Sequence, residues 1–359
     1  MKTDAKSFHV LHVCDYAALY RGNFIDSLES LETYHDNVEN FYLFPARAKG
    51  TEAQKWIEDL NGVYTKAYIQ EKHIIKNFLL LIKILRRHKI NRIVRHFSDG
   101  KIDVFIKLLF KGKHVVRFFH CSCPVKKNPI KRKFIEFIWR KNKLVGVSDA
   151  ITNEIRRAHP KFSSHSIVNA IQFDRLDNLD PFEKAEGVSL LMMGWDYTRK
   201  GVDLAIKATQ PLQEKYNITL QILGGKNEDK IKELAYSILG ENVDWIRYLP
   251  PTNNIGTYYR ANDIFLSPSR QEAFGYASIE AIYCGNSVVL SKVDGQGELN
   301  IDGAYWFESE NVEEFRDKLE SAIIELNSEE KLLQKEAEKA HVKHIYSLKE
   351  WSNKLVDLF

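Results

Sequence analysis

The chain has 359 residues, of which 44% are hydrophobic and 28% charged, and its formal net charge is +4. This composition is typical of a globular protein and excludes a disordered or collagen-like chain. The four cysteines are too few and too scattered for a disulfide framework. The longest apolar run near a possible membrane segment, Phe78–Ile82, is far shorter than the roughly 20 residues of a membrane span. Because the N-terminus also lacks the apolar core of a signal peptide, we expect a cytoplasmic protein.

The charge is unevenly distributed along the chain. Residues 1–172 carry 31 Lys and Arg against 16 Asp and Glu, whereas the remainder carries 21 against 32. Such asymmetry indicates that the first half meets an anionic surface or substrate.

Strands and helices are predicted to alternate through the first half. The strands are expected at Phe8–Val13, Phe41–Phe44, Asn91–Arg95, Val115–Phe119, Lys143–Gly146 and Ser166–Val168. The helices are expected at Phe24–Leu31, His73–His88, Val104–Leu109, Ile130–Arg140 and Ala150–Ala158, the last capped by Ser148 or Asp149.

The polar segment 173–186 contains Asp-Pro and is interpreted as a linker. The pattern then restarts, with strands expected at Ser189–Met193, Thr219–Leu223, Val243–Tyr248, Ile264–Leu266 and Ser287–Leu290. Helices are expected at Val202–Ala208, Asp229–Leu239, Ile255–Arg260, around Glu280, and from Val312 to Phe359. The alternation predicts an α/β fold with two doubly wound parallel sheets, in domains 1–172 and 187–344, that face a central cleft.

The segment Ser267–Asn300 is the most informative part of the chain. It places Glu272 in a loop and Glu280 eight residues later in a short helix. Phe274 and Gly275 lie between them, where backbone amides can face an anion at a helix N-terminus. The same glutamate spacing occurs twice more, in polar stretches that are typical of solvated helix faces. Context therefore distinguishes this pair.

This segment resembles the sugar-donor motif of the retaining glycosyltransferases of family 4, which have the GT-B fold. The matching residues are Pro268, Ser269, Glu272, Phe274, Gly275, Glu280, Ala281, Gly285, Val288, Val289, Gly295 and Glu298. The resemblance implies transfer of a sugar, with retention of its anomeric configuration, from a nucleotide diphosphate sugar such as a UDP-sugar. It implies a glycan or lipid-linked acceptor in cell-envelope synthesis. It also implies that a C-terminal helix, 345–359, packs back on the first domain.

A second match lies in the loop that follows the first strand of the second half, at Gly194, Trp195, Lys200 and Gly201. Lys200 stands where the family has its phosphate-binding lysine, and a fixed cation there would stabilise the departing diphosphate. The family usually has arginine at the position of Trp195. We expect Arg199 to supply the second charge, with an ordinary surface arginine as the alternative.

The resemblance also suggests roles for the residues of the motif. Glu280 corresponds to the glutamate that accepts hydrogen bonds from the ribose hydroxyls, and Glu272 to the glutamate beside the sugar being transferred. Phe274, Gly275 and Tyr276 would present backbone amides to the sugar or phosphate. Tyr248, after a strand, is a candidate contact for the base, although a packed aromatic residue is an equal alternative. Glu298 is a weaker candidate.

Two residues of the first domain complete the predicted site. His120 ends an apolar strand where the family often has a histidine that points at the sugar, and His96, at the end of the preceding strand, is its competitor. Gly22 resembles a glycine that lets the phosphate approach closely. No metal or other cofactor is expected, because no Asp-x-Asp cluster is present and cations with helix amides can take that role.

The helix His73–His88 and the stretch Lys126–Lys133 are strongly basic. We interpret them as a surface for an anionic membrane, peripheral on its inner face, with an ordinary charged helix face as the alternative. Nucleic acid is not expected, because no recognisable nucleic-acid motif accompanies the charge.

Other classes of protein remain as alternatives. A non-catalytic, glycosyltransferase-like subunit that binds glycan or a partner enzyme would explain Trp195 and the departures Ala170 and Gln172 from the family's Asn-Gly-Ile/Val-Asp turn. A nucleotide-sugar epimerase fits the glutamate context less well. A NAD-dependent enzyme is disfavoured because no Gly-x-Gly-x-x-Gly follows the first strand.

Overall fold

The protein forms two compact units. The computed structural model describes residues 7–18, 21–60, 66–69, 73–97, 101–110, 114–121, 129–184, 186–252 and 254–359. The first unit contains the described residues up to Ile171 together with Tyr346–Phe359, and the second contains Gln172–Ile345. The predicted linker 173–186 is thus counted with the second unit, where Phe173 and Leu176 are buried.

The first unit contains a parallel sheet to which the described residues contribute seven strands, in the order β3-β2-β1-β4-β5-β6-β7. The strands are β1 (Phe8–Cys14), β2 (Val38–Pro45), β3 (Lys66–Ile69), β4 (Arg92–His96), β5 (Val115–Phe119), β6 (Lys143–Gly146) and β7 (Ser163–Ser166). The helices before the second unit are α1 (Gly22–Tyr34), α2 (Glu52–Glu58), α3 (Ile74–Arg87), α4 (Lys101–Phe110), α5 (Pro129–Trp139) and α6 (Asp149–Ala158). The Ser148 hydroxyl caps α6 by accepting from the Ile151 amide at 3.3 Å, so the predicted cap is Ser148.

The second unit contains a parallel sheet with the order β10-β9-β8-β11-β12-β13. Its strands are β8 (Val188–Met193), β9 (Ile218–Leu223), β10 (Ile246–Leu249), β11 (Ile264–Ser267), β12 (Ser287–Ser291) and β13 (Tyr305–Phe307). Its helices are α7 (Val202–Thr209), α8 (Gln213–Tyr216), α9 (Glu228–Leu239), α10 (Ile255–Ala261), α11 (Tyr276–Tyr283), α12 (Val312–Glu325) and α13 (Glu329–Ile345). Both sheets are doubly wound, as predicted: the chain starts in the middle, moves outward on one side, and then crosses to the other.

The last helix, α14 (Leu348–Val356), belongs to the first unit. It packs against α1, and the Trp351 ring lies 5.8 Å from the Phe118 ring. The helical stretch predicted from Val312 to Phe359 is therefore three helices, and Ser347 interrupts it by capping α14 through a hydrogen bond from the Glu350 amide.

Burial of apolar side chains explains why the strands of the two sheets form. Leu190, Leu191 and Met192 of β8 are fully buried, as are Val289 and Leu290 of β12. Parallel strands covered on both faces require such continuous apolar runs. Among the described residues, no helix combines the length and apolar character that a membrane crossing needs.

The order of the strands also determines where a site can lie. Open α/β sheets bind ligands at the carboxyl ends of the strands, where the winding direction reverses. That point falls between β8 and β11 in the second unit, and between β1 and β4 in the first.

Candidate functional site

Two loops of the second unit meet at its reversal point. The loop after β8 ends in Gly201, which has φ +67° and caps α7. A side chain on Gly201 would collide with the Pro268 carbonyl oxygen of the loop after β11. The Arg270 amide donates a 2.8 Å hydrogen bond to the Arg199 carbonyl, so the backbones of the two loops are also joined directly. Gly201 therefore allows the close approach that brings the predicted residues together.

Lys200 and Glu272 form an ion pair across these loops, through Nζ and Oε2. The two side chains are only 10% and 16% exposed. Arg199 lies on the same carboxylate, with Nη1 3.8 Å from Oε2. It also donates to the Gln271 carbonyl at 3.0 Å and to the Asp196 carboxylate at 3.0 Å. The predicted lysine, arginine and first glutamate thus occupy one place, where the two cations are held by carboxylates.

Trp195 projects from the same loop, and the residue is 54% exposed. The Arg199 guanidinium carbon lies 4.6 Å from the centroid of its ring, and the Lys200 Nζ lies 5.4 Å away. Both distances are within the range of cation–π attraction. The tryptophan that stands at the family's arginine position therefore lies beside the two cations.

The helix α11 begins at Gly275, whose φ of +99° requires glycine. Phe274 is buried and its ring lies 5.0 Å from that of the half-buried Tyr276. The N-terminus of α11 carries the positive end of the helix dipole and lies three residues after Glu272. This geometry is suitable for an anionic or hydroxyl-rich ligand.

Glu280 is buried on α11, and both of its carboxylate oxygens have partners. Oε1 pairs with Arg175, and Oε2 accepts a 3.0 Å hydrogen bond from the Tyr259 hydroxyl. Tyr259 is fully buried, whereas the Arg175 side chain is 30% exposed. Sequence reasoning missed both partners. Arg175 lies in the stretch interpreted as a linker, and Tyr259 is part of an apolar helix with no distinguishing motif.

Gln296 is a further residue that the sequence did not single out. It is fully buried in the glycine loop after β12. Its side chain accepts from the Ser267 hydroxyl at 2.7 Å and donates to the Ser291 carbonyl at 2.9 Å, while the Gly295 amide donates to the Glu272 carbonyl at 3.0 Å. The loop after β12 therefore holds the backbone of Glu272 in place through this last hydrogen bond. The weaker candidate, Glu298, is exposed at the end of the loop after β12.

Tyr248 is not brought to the Lys200–Glu272 pair. It lies half-buried on β10, the edge strand, which β9 separates from β8. Its ring is 5.2 Å from the Lys232 Nζ and packs against the core. These contacts are those of a packed aromatic residue.

His120 and Gly22 lie near the reversal point of the first unit. His120 follows β5, and its ring stacks on Phe97 with centroids 4.1 Å apart and contacts Phe24 edge-on at 5.0 Å. Gly22 starts α1 with φ +64°, two residues before Phe24. His96, the predicted alternative to His120, contacts it directly, with His96 Nδ1 3.1 Å from His120 Nε2. The structure thus joins the two histidines that the sequence presented as alternatives.

Burial keeps these histidines neutral. It lowers the pKa of His120 to about 3 and that of His12, a fully buried neighbour in β1, to about 4. Burial likewise holds the pKa of His96 well below its usual value, and the nearby His120, His12 and Arg95 lower it further. Any role of His120 near neutral pH is therefore that of an uncharged imidazole.

These lowered pKa values predict a pH-dependent stability. Below pH 6.5 the unfolded chain binds protons that the folded chain does not, so the free energy of unfolding should fall as the pH falls. Each buried histidine should contribute about 1.4 kcal/mol per pH unit between its two pKa values. We expect His12→Gln to reduce that slope in urea unfolding between pH 6.5 and about 4, whatever its effect on stability at pH 7.5. The exposed His344→Gln should leave the slope unchanged, and equal slopes for both variants would contradict the assignment.

The chain is similar in sequence to known glycosyltransferases. Residues 180–340 match the model of the family described as glycosyl transferases group 1. An uncharacterized glycosyltransferase of Methanocaldococcus jannaschii is 24% identical over 76% of this chain and 75% of its own length. A second, from Haemophilus influenzae, is 30% identical over 36% of each chain. The lipopolysaccharide glucosyltransferase WaaG of Escherichia coli is 34% identical over 30% of this chain and 27% of its own.

Solved structures show the fold over nearly the whole chain. A glycosyltransferase of Rickettsia africae superposes with a TM-score of 0.82 at 18% identity and covers 98% of both chains. Anabaena HepE in complex with UDP and glucose gives a TM-score of 0.72 at 14% identity, again over 98% of both. The fold of the chain is GT-B, and the match to the glycosyl transferases group 1 model lies in its second half.

Proposed function

We propose that this protein is a retaining glycosyltransferase of family 4 that moves a sugar from a UDP-sugar to a glycan or lipid-linked acceptor. The observation that carries the proposal is the Lys200–Glu272 pair, held by two loops at the reversal point of the second sheet. The complexes of HepE with UDP and glucose and the relative that is a lipopolysaccharide glucosyltransferase support the same chemistry.

Each residue would have a defined part in this reaction. As the bond between sugar and diphosphate breaks, negative charge grows on the leaving phosphate, and Lys200 and Arg199 would stabilise it. Glu272 would hold hydroxyl groups of the sugar while it orients Lys200. The amides at the start of α11 would face the phosphate. Attack by an acceptor hydroxyl on the same face as the departing phosphate, which would take the hydroxyl proton, would retain the anomeric configuration.

The nucleotide would be recognised farther along α11. Glu280 could accept from both ribose hydroxyls, since a carboxylate offers two acceptor oxygens. Arg175 and Tyr259 would fix its orientation before the ligand arrives. Such preorganisation reduces the entropy lost on binding.

A thermal-shift screen tests the identity of the sugar donor. UDP-sugars should stabilise the chain more than GDP- or ADP-sugars, and a UDP-sugar at 100-fold its Kd should raise the free energy of unfolding by about 2.7 kcal/mol over the ligand-free protein. Glu280→Gln should weaken this stabilisation because it removes the charge that strengthens the ribose hydrogen bonds. A GDP-sugar that stabilises the chain more than every UDP-sugar would overturn the choice of nucleotide.

We further propose that the first unit docks on an anionic membrane through a basic face formed by α3, α4 and α5. These helices pack side by side. The exposed apolar residues of this face are Ile74, Ile75, Leu79, Leu108, Ile130, Phe134 and Phe137. Its exposed cations are Lys76, Lys83, Arg86, Arg87, Lys131, Arg132, Lys133 and Arg140.

The sequence analysis recognised this face by its basic residues and did not predict its exposed apolar side chains. Ile130, Phe134 and Phe137 of α5 are 78%, 55% and 63% exposed, and the first two flank the three cations at 131–133. Apolar side chains that enter the interface beside cations that bind anionic headgroups are typical of peripheral membrane helices. The predicted basic residues Lys126 and Lys127 lie outside the described residues.

Vesicle co-sedimentation tests this surface. The protein should pellet with phosphatidylglycerol-containing vesicles at low salt, but not with phosphatidylcholine vesicles. Phe134→Asp with Phe137→Asp should weaken binding about tenfold or more, because two rings no longer leave water. The matched control is Leu332→Asp with Leu333→Asp on α13, whose side chains are also exposed (51% and 68%). Equal loss of binding in both double variants, or no pelleting of the wild type, would contradict the surface.

A further inference from the structure

Three histidines lie side by side in the first unit. His12 is in β1, His96 ends the neighbouring β4, and His120 follows β5, the next strand. The His12 and His96 rings stack with centroids 5.9 Å apart, and the His96 and His120 rings lie 5.4 Å apart. A neutral imidazole carries one proton on two nitrogens, so each ring has two possible forms that differ in what they can donate.

The form of His12 follows from its contacts. Asn40 donates its side-chain amide to the Leu28 carbonyl at 2.9 Å, which identifies the other Asn40 atom as the acceptor Oδ1. His12 Nε2 lies 3.0 Å from that oxygen and therefore carries the proton. Among the described residues its Nδ1 is buried without a partner, and it bears only a lone pair.

The same reasoning identifies which nitrogen of His96 carries the proton. Its Nε2 is buried without a hydrogen-bond partner in the described part of the chain. An unpaired buried N–H is rarer and more costly than an unpaired acceptor, so the proton belongs on Nδ1. Nδ1 faces His120 Nε2 at 3.1 Å, and His96 therefore donates to His120. His120 accepts through Nε2 and must carry its own proton on Nδ1.

Two neighbouring aromatic rings prevent a 180° rotation of the His120 ring out of this arrangement. Phe97 stacks on the ring within 18° of parallel, and Phe24 packs against it nearly perpendicular, at 81°. A half-turn of the ring would break the hydrogen bond from His96 and require these two rings to separate.

We propose that His96 is a positioning residue that holds His120 in its neutral Nδ1–H form, so that His120 offers a ligand at the carboxyl end of the first sheet a hydrogen-bond donor and not a base. The proposal rests on the proposed function only for its kinetic consequence, which requires that the chain transfers a sugar. The tautomer itself is a property of the free protein. His120 is in this account a fixed N–H group that recognises a hydroxyl or ring oxygen.

Nitrogen NMR of the histidine side chains tests the tautomer without any substrate. In 15N-labelled wild-type protein at pH 7.5, the His120 signal, identified by its loss in His120→Gln, should show a protonated Nδ1 and an unprotonated Nε2. His96→Leu should shift His120 to the Nε2–H form that free imidazole side chains favour. His96→Asn, whose amide can donate from the position of Nδ1, should restore the Nδ1–H form. An Nε2–H form of His120 in the wild type overturns the proposal, and this result does not depend on the two His96 variants.

Kinetics provide the second readout. His96→Leu should lower kcat/KM for UDP release by about threefold to tenfold, the effect of losing one neutral hydrogen bond, and His96→Asn should recover most of it. Equal losses in the two variants would contradict the positioning role. If the chain transfers no sugar at all, the proposed function fails while the NMR result still decides the tautomer.

Discussion

Lys200→Ala is expected to lower kcat/KM for sugar transfer by about 10²- to 10³-fold, which corresponds to roughly 2.7–4 kcal/mol of transition-state stabilisation. The reason is the position of the ammonium group at the carboxyl end of β8, where it is buried enough to act in a poorly hydrated environment. The loss should appear mainly in kcat, because charge on the leaving diphosphate develops only as the bond breaks. Steady-state measurement of UDP release gives both parameters.

The fold should survive this change. After Lys200 is removed, Arg199 remains 3.8 Å from the Glu272 carboxylate, so that charge is not left alone. Lys207→Ala is the matched control, since Lys207 lies on the adjoining α7 and pairs with Asp203 at the surface with 48% of its side chain exposed. It should retain wild-type kinetics. Wild-type turnover by Lys200→Ala would eliminate the lysine from the site.

Gly201→Ala should destabilise the second unit by about 2–5 kcal/mol. The backbone at φ +67° costs an L-residue about 1–2 kcal/mol, and relief of the clash with the Pro268 carbonyl adds about 1–3 kcal/mol. Because the two loops would have to separate, the Lys200–Glu272 pair should also be lost, and with it the response to UDP-sugars. Differential scanning calorimetry should show a fall in Tm on the order of 10 °C.

Gly285→Ala separates backbone strain from the clash. Gly285 also has a left-handed φ, +91°, but a side chain there would meet no atom of the described residues within 4 Å. This variant should cost about 1–2 kcal/mol from the backbone alone and keep nucleotide binding. If the two alanine variants were equally stable, the close approach of the loops at Gly201 would be wrong.

The central strands could be predicted from the sequence because each is a continuous apolar run covered on both faces. Two of the edge strands could not be predicted. Lys66–Ile69 and Tyr305–Phe307, which form edge strands of three or four residues, carry too little pattern to be recognised. The polar strand Ser163–Ser166 was predicted three residues late, because the apolar residues at 167–168 gave the stronger signal.

The candidate site shows a similar division. Glu272, Gly275 and Glu280 could be found because they lie within one segment with fixed spacing. Arg175 pairs with Glu280 across 105 residues, and no local pattern records such a contact. The strand order of the second sheet brings the loops after β8 and β11 together, and it likewise depends on packing of the whole unit.

The most direct test of the account is the release of UDP by the purified chain. The UDP-sugar that gives the largest thermal shift would be incubated with wild-type protein in excess EDTA, and free UDP would be measured over time. The account predicts slow release that does not require a divalent metal and that Lys200→Ala lowers by about 10²-fold or more. No release by the wild type, together with no nucleotide binding by calorimetry, would contradict it and favour a non-catalytic glycosyltransferase-like subunit.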